Sequence, residues 1–372
     1  MTEPSKNKFF GKKLLLIGLS TRQMAESAIK SKYNFITLDY FGDLDQKKIC
    51  KNHSLKRDFH REIFDPNDLF LASQDLDFDA IVYSSPFENH PQIIKEFERE
   101  CIVIGNSSKT VSEVRDWVTF FDFLLGEGIN YPETIFDVEN VHGRYLVKPI
   151  KGGGGTQIEI YKKSSRIKKS FFLQKYLKGK YCSASFISDG ANCEVLAVNE
   201  QLVGKEEFGA KKFWYCGNIT PLEEVQKIDE ICSKITKKFG LKGSNGIDFI
   251  LRDGKIYVLE VNPRFQASMG IIENAYGINL FDLHVRSFCG ELPHLEGGAK
   301  KTCGNAILYA EKDVILPDTS KWIGKFKDLP YPGERIDKGQ PICSILASGA
   351  DKEDCWNRLI EQANNLKDEL YQ

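Results

Sequence analysis

The sequence lacks any strong excess of charge. Its 372 residues carry a formal net charge of −1, with 28% charged and 41% apolar residues. A chain so balanced has no overall field to draw it onto nucleic acid or an anionic membrane. Its one local basic run, Lys162, Lys163, Arg166, Lys168 and Lys169, has no interleaved aromatic residues on which bases could stack, and it reads as a solvated face. Long apolar runs are missing too. Leu14–Leu19 is apolar over six residues only, too short for a membrane span or a signal-peptide core. Ten cysteines are present, but no Cys-x-x-Cys pair and no Cys/His cluster with zinc spacing occurs. With no stretch that reads as a secretory signal, they are expected as reduced thiols in a cytoplasmic protein, and Cys101 as a small buried hydrophobe. No internal repeat or low-complexity segment is visible.

What is there suggests two or three packed units. Lys12–Ser20 reads as a buried strand, Thr21–Lys32 as a helix and Asn34–Tyr40 as a second strand. Asp79–Ser85 is another strand, Glu88–Glu100 a helix and Cys101–Asn106 a short strand. This alternation implies a parallel sheet covered on both faces, a Rossmann-like domain over roughly the first hundred residues. The first turn, Gly18-Leu19-Ser20-Thr21-Arg22, lacks the later glycines that let a backbone approach a pyrophosphate. Asp39 stands where a ribose-binding acid would, but one acid without those glycines does not make a dinucleotide site. Beyond this domain, Val111, Val114, Val118, Phe121 and Leu125 recur at helical spacing and predict one helix over Val111–Leu125 with these residues in the core. A further helix is expected near Glu223–Lys238. A closing helix starts at about Asp351, with Trp356, Leu359, Ile360 and Ala363 on one face.

Two stretches carry chemistry. In "LVKPIKGGGGT", Gly152, Gly153, Gly154 and Gly155 lie between the strands Arg144–Pro149 and Gln157–Tyr161. A hairpin tip of glycines lets successive N–H groups converge on an anion, and Lys148 just before it could neutralise a phosphate. Taken alone, a merely flexible tip fits as well. It is not a Walker A loop, because the lysine precedes the glycines and no Gly-Lys-Ser/Thr opens a helix.

The second stretch is Gly246–Arg264, "GIDFILRDGKIYVLEVNPR", two strands about a turn at Arg252-Asp253-Gly254. Ile247, Phe249, Leu251, Tyr257, Leu259 and Val261 are odd-numbered and apolar, whereas Asp248, Glu260 and Asn262 are even. Side chains alternate faces along a strand, so Glu260 and Asn262 share one. A two-residue turn would oppose Asp248 to Leu259 and split the acids. A three-residue turn with Gly254 left-handed opposes Asp248 to Val258 and unites all three polar groups, and it is the register expected here. Two carboxylates and an amide oxygen suit magnesium, a hard cation. Arg264 follows at once and could face a transferring phosphoryl group or a surface ion pair.

These residues, in this order, resemble the ATP-grasp superfamily. "FWYCGNITP", "GSNGIDFIL", "LEVNPRFQAS" and "GERIDKGQPICSILASG" resemble, within it, the group of predicted ATP-dependent carboligases related to biotin carboxylase. The resemblance runs from about Lys12 to Gly349. It implies an α/β (α+β) ATP-grasp fold: a Rossmann-like domain over 1–108, a small lobe with the glycine lid over 109–178, a large lobe over 179–300 and a β-rich C-terminal segment with a closing helix over 301–372. It implies ATP and Mg2+ as cofactors, with Mn2+ a possible substitute. Lys148 would meet the α and β phosphates, and Gly152–Gly155 would cover the β and γ phosphates. Lys175 and Leu177 of "QKYL" would take the adenine edge through backbone groups, with Gln174 beside them. Asp248, Glu260 and Asn262 would hold one or two magnesium ions, and Arg264 would contact the γ-phosphate or an acyl phosphate. Family members commonly have Glu where Gln174 stands and Asp-Lys where Asp116-Trp117 stands, leaving Arg115 and Lys109 as candidates for the second phosphate cation.

The activity so implied is an ATP-dependent carboxylate–amine ligation through an acyl phosphate, on small-molecule carboxylate and amine substrates, in a possible homodimer. The substrate is expected near Ser20-Thr21-Arg22, where Arg22 serves either as a carboxylate ligand or, the preferred reading, as a structural ion pair. Phe213-Trp214-Tyr215 lines the pocket or belongs to the core. Rival readings are a biotin-carboxylase-like enzyme that activates bicarbonate, a non-catalytic nucleotide-binding regulatory protein and a dinucleotide oxidoreductase.

Overall fold

The structure, a computed structural model, describes residues 8–136, 141–162, 167–223, 225–295 and 297–371. Five strands build the N-terminal domain: β1 (Lys13–Ile17), β2 (Asn34–Asp39), β3 (Asn52–Ser54), β4 (Ala80–Tyr83) and β5 (Ile102–Val103). They pair in parallel in the order β3-β2-β1-β4-β5. The apolar run of β1 splits by parity. Leu14 and Leu16 pack on Met24, Ala25 and Ala28 of the helix Arg22–Lys30, while Leu15 and Ile17 pack on Leu69, Ile93, Ile94 and Phe97 from helices on the other face. A strand covered on both sides has no polar face to show, which is why it reads as continuous hydrophobe.

The expected single helix over Val111–Leu125 is two helices, Ser108–Val114 and Trp117–Gly126. Asp116 breaks it by capping the second, its Oδ1 accepting from the Thr119 N–H at 2.8 Å. The break resets the phase. Val111, Val114 and Phe121 are buried as expected, but Val118 and Leu125 face solvent, and Trp117, Phe120 and Leu124 enter the core instead. Arg115 is left in the break with its side chain free to turn inward.

Next comes a small antiparallel sheet of β6 (Thr134–Ile135), β7 (Tyr145–Pro149), β8 (Glu159–Ile160) and β9 (Phe171–Lys175), ordered β6-β9-β7-β8. The remaining strands are β10 (Lys180–Asp189), β11 (Cys193–Val203), β12 (Tyr215–Thr220), β13 (Lys242–Arg252), β14 (Lys255–Asn262), β15 (Thr302–Tyr309), β16 (Val314–Ile315), β17 (Phe326–Lys327), β18 (Arg335–Ile336) and β19 (Pro341–Gly349). Eight of them form one antiparallel sheet, β14-β13-β10-β11-β12-β15-β19-β17, and β16 pairs with β18. The closing helix, Lys352–Tyr371, lays Leu359, Ala363 and Leu366 on this sheet. The other expected helix runs Ile228–Phe239.

Two buried polar residues lock the N-terminal domain to the large sheet. Asn106 donates to Asn245 Oδ1 at 2.8 Å and to the Pro263 carbonyl at 3.0 Å, and accepts from the Lys242 N–H. His284 Nδ1 accepts from the Ser244 N–H at 2.8 Å, so its Nε2 carries the proton and donates to the Ile104 carbonyl at 2.9 Å. The ten cysteines form no disulfide among the described residues, and Cys101 is half-buried rather than buried. Among the described residues no helix is long and apolar enough to cross a membrane. Lys163 and Arg166 of the basic run lie outside the described residues; Lys162, Lys168 and Lys169 are exposed or half-exposed.

Candidate active site

The hairpin of β13 and β14 unites its acids by a different route from the expected one. Arg252 pairs with Lys255, so the turn holds only Asp253 and Gly254, both left-handed at φ +51° and +71°. That is a two-residue turn of the type Asp-Gly favours. The pairing Asp248–Val258 does not occur. Phe249 opposes Val258, Leu259 bulges out, and Asp248 then opposes Glu260 directly. One extra residue flips the alternation. Ile256 and Val258 therefore reach the core before the bulge and Val261 after it, while Leu259 lines the cavity. The odd-number rule fails for Tyr257 and Leu259 because it counted no bulge, yet the acids end on one face.

Around this pair the charges are arranged closely. Asp248 accepts from Gln201 Nε2 at 2.9 Å and from Asn262 Nδ2 at 3.1 Å. Burial, then the charge of Glu260, push its carboxyl up to about 7. Burial alone would raise Glu260 as well, but Arg115, Lys148 and Arg264 outweigh it and hold that group below its ordinary value. Arg115 Nη1 donates to Glu260 Oε2 at 2.9 Å and to the Val261 carbonyl, and its Nη2 donates to Asn89 Oδ1. Lys109 is exposed beside Glu113, away from the site. Arg264 pairs with Glu88 at 2.8 Å and donates to Asn262 Oδ1 and the Phe265 carbonyl. Its Nε and the second Glu88 oxygen are buried without a partner.

Lys148 points from β7 toward the same acids. Burial lowers its pKa, and Glu260 and Asp248 offset part of the shift. Its Nζ donates to Gln174 Oε1 at 3.1 Å, and the other end of that amide donates to Thr134. Gln174 thus orients Lys148 instead of facing solvent. The Lys175 side chain leaves the site to pair with Glu133, whereas the Leu177 N–H has no partner among the described residues and Leu177 lines the cavity.

The glycine loop is folded down onto the large lobe. The Tyr215 N–H donates to the Gly154 carbonyl at 2.9 Å, and Asn89 donates to the Gly152 carbonyl at 3.3 Å. Gly155 sits at φ +71°, where a Cβ would come within 2.0 Å of the Phe213 carbonyl oxygen. Gly154 is also left-handed, at φ +65°, but has open space. Beneath the loop lies a cavity of about 770 Å³. Lys148, Gly153–Gly155, Gln174, Asp248, Glu260, Asn262 and Arg264 all border it.

Residues 114–268 match the ATP-grasp domain. The chain carries an ATP-grasp domain over that segment. An uncharacterised protein of Methanocaldococcus jannaschii is 26% identical to it over 90% of this chain and 88% of that one. Carbamoyl phosphate synthase large chain of Thermoplasma acidophilum is also 26% identical, over 72% of this chain, but the chain spans only 28% of its length. Among solved structures, N5-carboxyaminoimidazole synthetase from Staphylococcus aureus, complexed with ADP, superposes with a TM-score of 0.72 at 17% identity over 96% of this chain and 98% of that one. L-amino acid ligase from Bacillus licheniformis gives 0.70, with the same identity and coverage. The overall fold is shared with both.

Other expected residues resolve differently. Arg22 is buried and structural, held by Asp328 at 2.6 Å and Glu26 at 2.8 Å. Asp39 is turned inward, accepting from Thr21, the Gly42 N–H and Asn52, so it is no ribose ligand. Phe213 and Tyr215 line the cavity, while Trp214 packs on Tyr309 in the core. Gln201, Glu88 and Asn89 were not anticipated. Asn199 and Gln201 stand two apart within the polar run Asn199-Glu200-Gln201 of β11 and so share a face, which is a usable signal; Glu88 and Asn89 carry none.

Proposed function

We propose that the chain is an ATP-dependent carboxylate–amine ligase working through an acyl phosphate. The observation that carries this reading is the convergence of three cations, Lys148, Arg115 and Arg264, and two opposed carboxylates under a docked glycine loop. Phosphoryl transfer needs positioning and charge compensation more than covalent help from the protein, and this is the equipment present.

Asp248 and Glu260 would hold Mg2+, with Asn262 after its amide turns its oxygen inward. The fit rests on the donor set: two half-buried carboxylates face each other, which is costly without a cation, and all donors are hard oxygens. Magnesium there supplies neutralisation of phosphate charge. Lys148 and Arg115 bind the phosphates, with Arg115 in place of the lysine absent at Trp117. Arg264, which borders the cavity, would stabilise the oxygen that gains charge. The Leu177 N–H takes the adenine edge.

The γ-phosphoryl group passes from ATP to a carboxylate oxygen of the substrate, and ADP leaves. An amine nitrogen then attacks the acyl carbon, loses its proton, and phosphate leaves as the amide forms. The docked loop keeps water from the acyl phosphate meanwhile. No nucleophile of the protein is required.

ADP release with Mg-ATP over a matrix of small carboxylates and amines tests this, with Glu260→Gln alongside. Pair-dependent ADP release that collapses in the variant is expected. Tight ATP binding with no turnover for any pair, bicarbonate included, would overturn the ligase reading in favour of a binding role.

A further inference from the structure

The cavity has a second polar end, built where the N-terminal domain meets the turn after β17. Leu44 N–H donates to the Leu329 carbonyl at 2.8 Å, and Asp45 accepts from the N–H groups of Leu329 and Asp328. This seam brings Asp43 and Asp328 to the cavity wall. Asp328 holds a left-handed backbone at φ +56°, uncommon for a residue with a side chain.

Asp43 is the unexplained member. It is 6% exposed, and its Oδ2 is buried with no hydrogen-bond partner among the described residues. It occupies the position before the short helix Leu44–Lys47 but accepts no capping bond. Among the described residues no hydrogen bond to its side chain accounts for it. Asp328, Asp39 and Asp45 repel it, and Arg22, the cation that offsets them, is already held by Glu26 and Asp328. Burial and these neighbours push its carboxyl well above the ordinary range. Among the described residues, no three or more His, Cys, Asp or Glu are grouped to hold a metal ion. The apolar wall beside it favours an organic cation as the missing counter-charge. Met24, Phe41 and Phe265 line the adjoining wall and suit an apolar stem.

We propose that Asp43 is the subsite for a protonated amine carried by one of the substrates. This deepens the ligase reading, because the amine belongs to one of the molecules that reading joins. Asp328 adds its field but stays committed to Arg22, so Asp43 alone receives the ammonium by a charge-assisted hydrogen bond.

The test uses the full chain and four probes, butylammonium against butan-1-ol and 1,4-diaminobutane against butane-1,4-diol, with binding followed by NMR titration in Mg-ADP. Each cation is expected to bind at least tenfold more tightly than its alcohol. Asp43→Asn and Asp43→Ser should abolish the difference, while Tm rises because a like-charge repulsion is removed. A purely structural Asp43 would lower Tm instead. Equal binding of cation and alcohol, or a difference that survives both substitutions, overturns the assignment. Asp43-dependent binding without ADP release for any substrate pair would leave this subsite standing and remove the ligase reading alone.

Discussion

Substituting alanine at Gly153, Gly154 and Gly155 in turn should give a graded response, since the backbone treats each differently. At Gly153 the backbone is not left-handed and a Cβ would meet nothing within 4 Å, so Gly153→Ala should be nearly silent. At Gly154, φ is +65° in open space, so only the left-handed penalty applies, about 1–2 kcal/mol for an L-residue. At Gly155, φ is +71° and the Cβ would lie 2.0 Å from the Phe213 carbonyl oxygen. The loop must lift, which also sacrifices the bond from the Tyr215 N–H, a further loss of about 1 kcal/mol. A total near 2–3 kcal/mol shifts loop docking toward the open form by roughly 30- to 150-fold. The assay compares kcat/KM for ATP with the ratio of ADP released to amide formed. A loop that opens admits water, so Gly155→Ala should both lose activity and waste ATP, Gly154→Ala should do so mildly, and Gly153→Ala should match wild type. Equal behaviour of Gly155→Ala and Gly153→Ala would refute the docked loop as the working state.

Arg115→Ala should raise the KM for ATP at least tenfold and lower Mg-free stability by about 2 kcal/mol, by stranding Glu260 beside Asp248; Arg115→Lys should recover most of the ATP affinity, and an unchanged KM in Arg115→Ala would exclude a phosphate role. Asp248→Asn removes one of two opposed carboxylates, so the variant should melt higher than wild type in EDTA yet show no further gain with Mg2+, whereas a retained Mg2+ shift would place the ion elsewhere. His284 links its pKa to stability: burial holds it at about 4 against an ordinary 6.5, so the folded state binds fewer protons between those values. Its contribution is complete above pH 6.5 and is lost as pH falls toward 4, by up to about 3 kcal/mol. Urea denaturation from pH 4.5 to 7 should show that slope, flattened in His284→Gln, and a parallel slope in the variant would dismiss His284 as its source.

Strand β1 and its neighbours were legible because a strand buried on both faces must be continuously apolar, and the glycine loop and acid pair were legible because each lies within a single hairpin. Errors arose where local geometry breaks a period. The helix over Val111–Leu125 is interrupted by the Asp116 cap, a break that spacing alone does not register, and the phase change exposes Val118 and Leu125. In the acidic hairpin, parity correctly joined Asp248 to Glu260 and Asn262 but assigned the compensating residue to the turn. It lies at Leu259 instead, because Asp-Gly already satisfies a two-residue turn and the register correction has to fall elsewhere.

Residues far apart in sequence were beyond such reasoning, and they explain how the site works as a unit. The glycine loop touches the N-terminal domain through Asn89, whose side-chain carbonyl holds Arg115, whose guanidinium in turn holds Glu260. The same domain supplies Glu88 to Arg264. Loop docking and the placement of two of the three cations therefore depend on one short segment, Glu88-Asn89, that makes no pattern of its own. A carboxylate at Glu88 buried opposite Arg264 is strong enough to keep its own pKa low despite complete desolvation, so the pair persists across the physiological range. Arg115 and Arg264 are thus set before any phosphate arrives, and ligand binding has less reorganisation to fund. The acid pair differs: Asp248 and Glu260 repel each other until a cation enters. A rigid cationic frame around a destabilised anionic centre favours the complex of nucleotide with metal over either one alone.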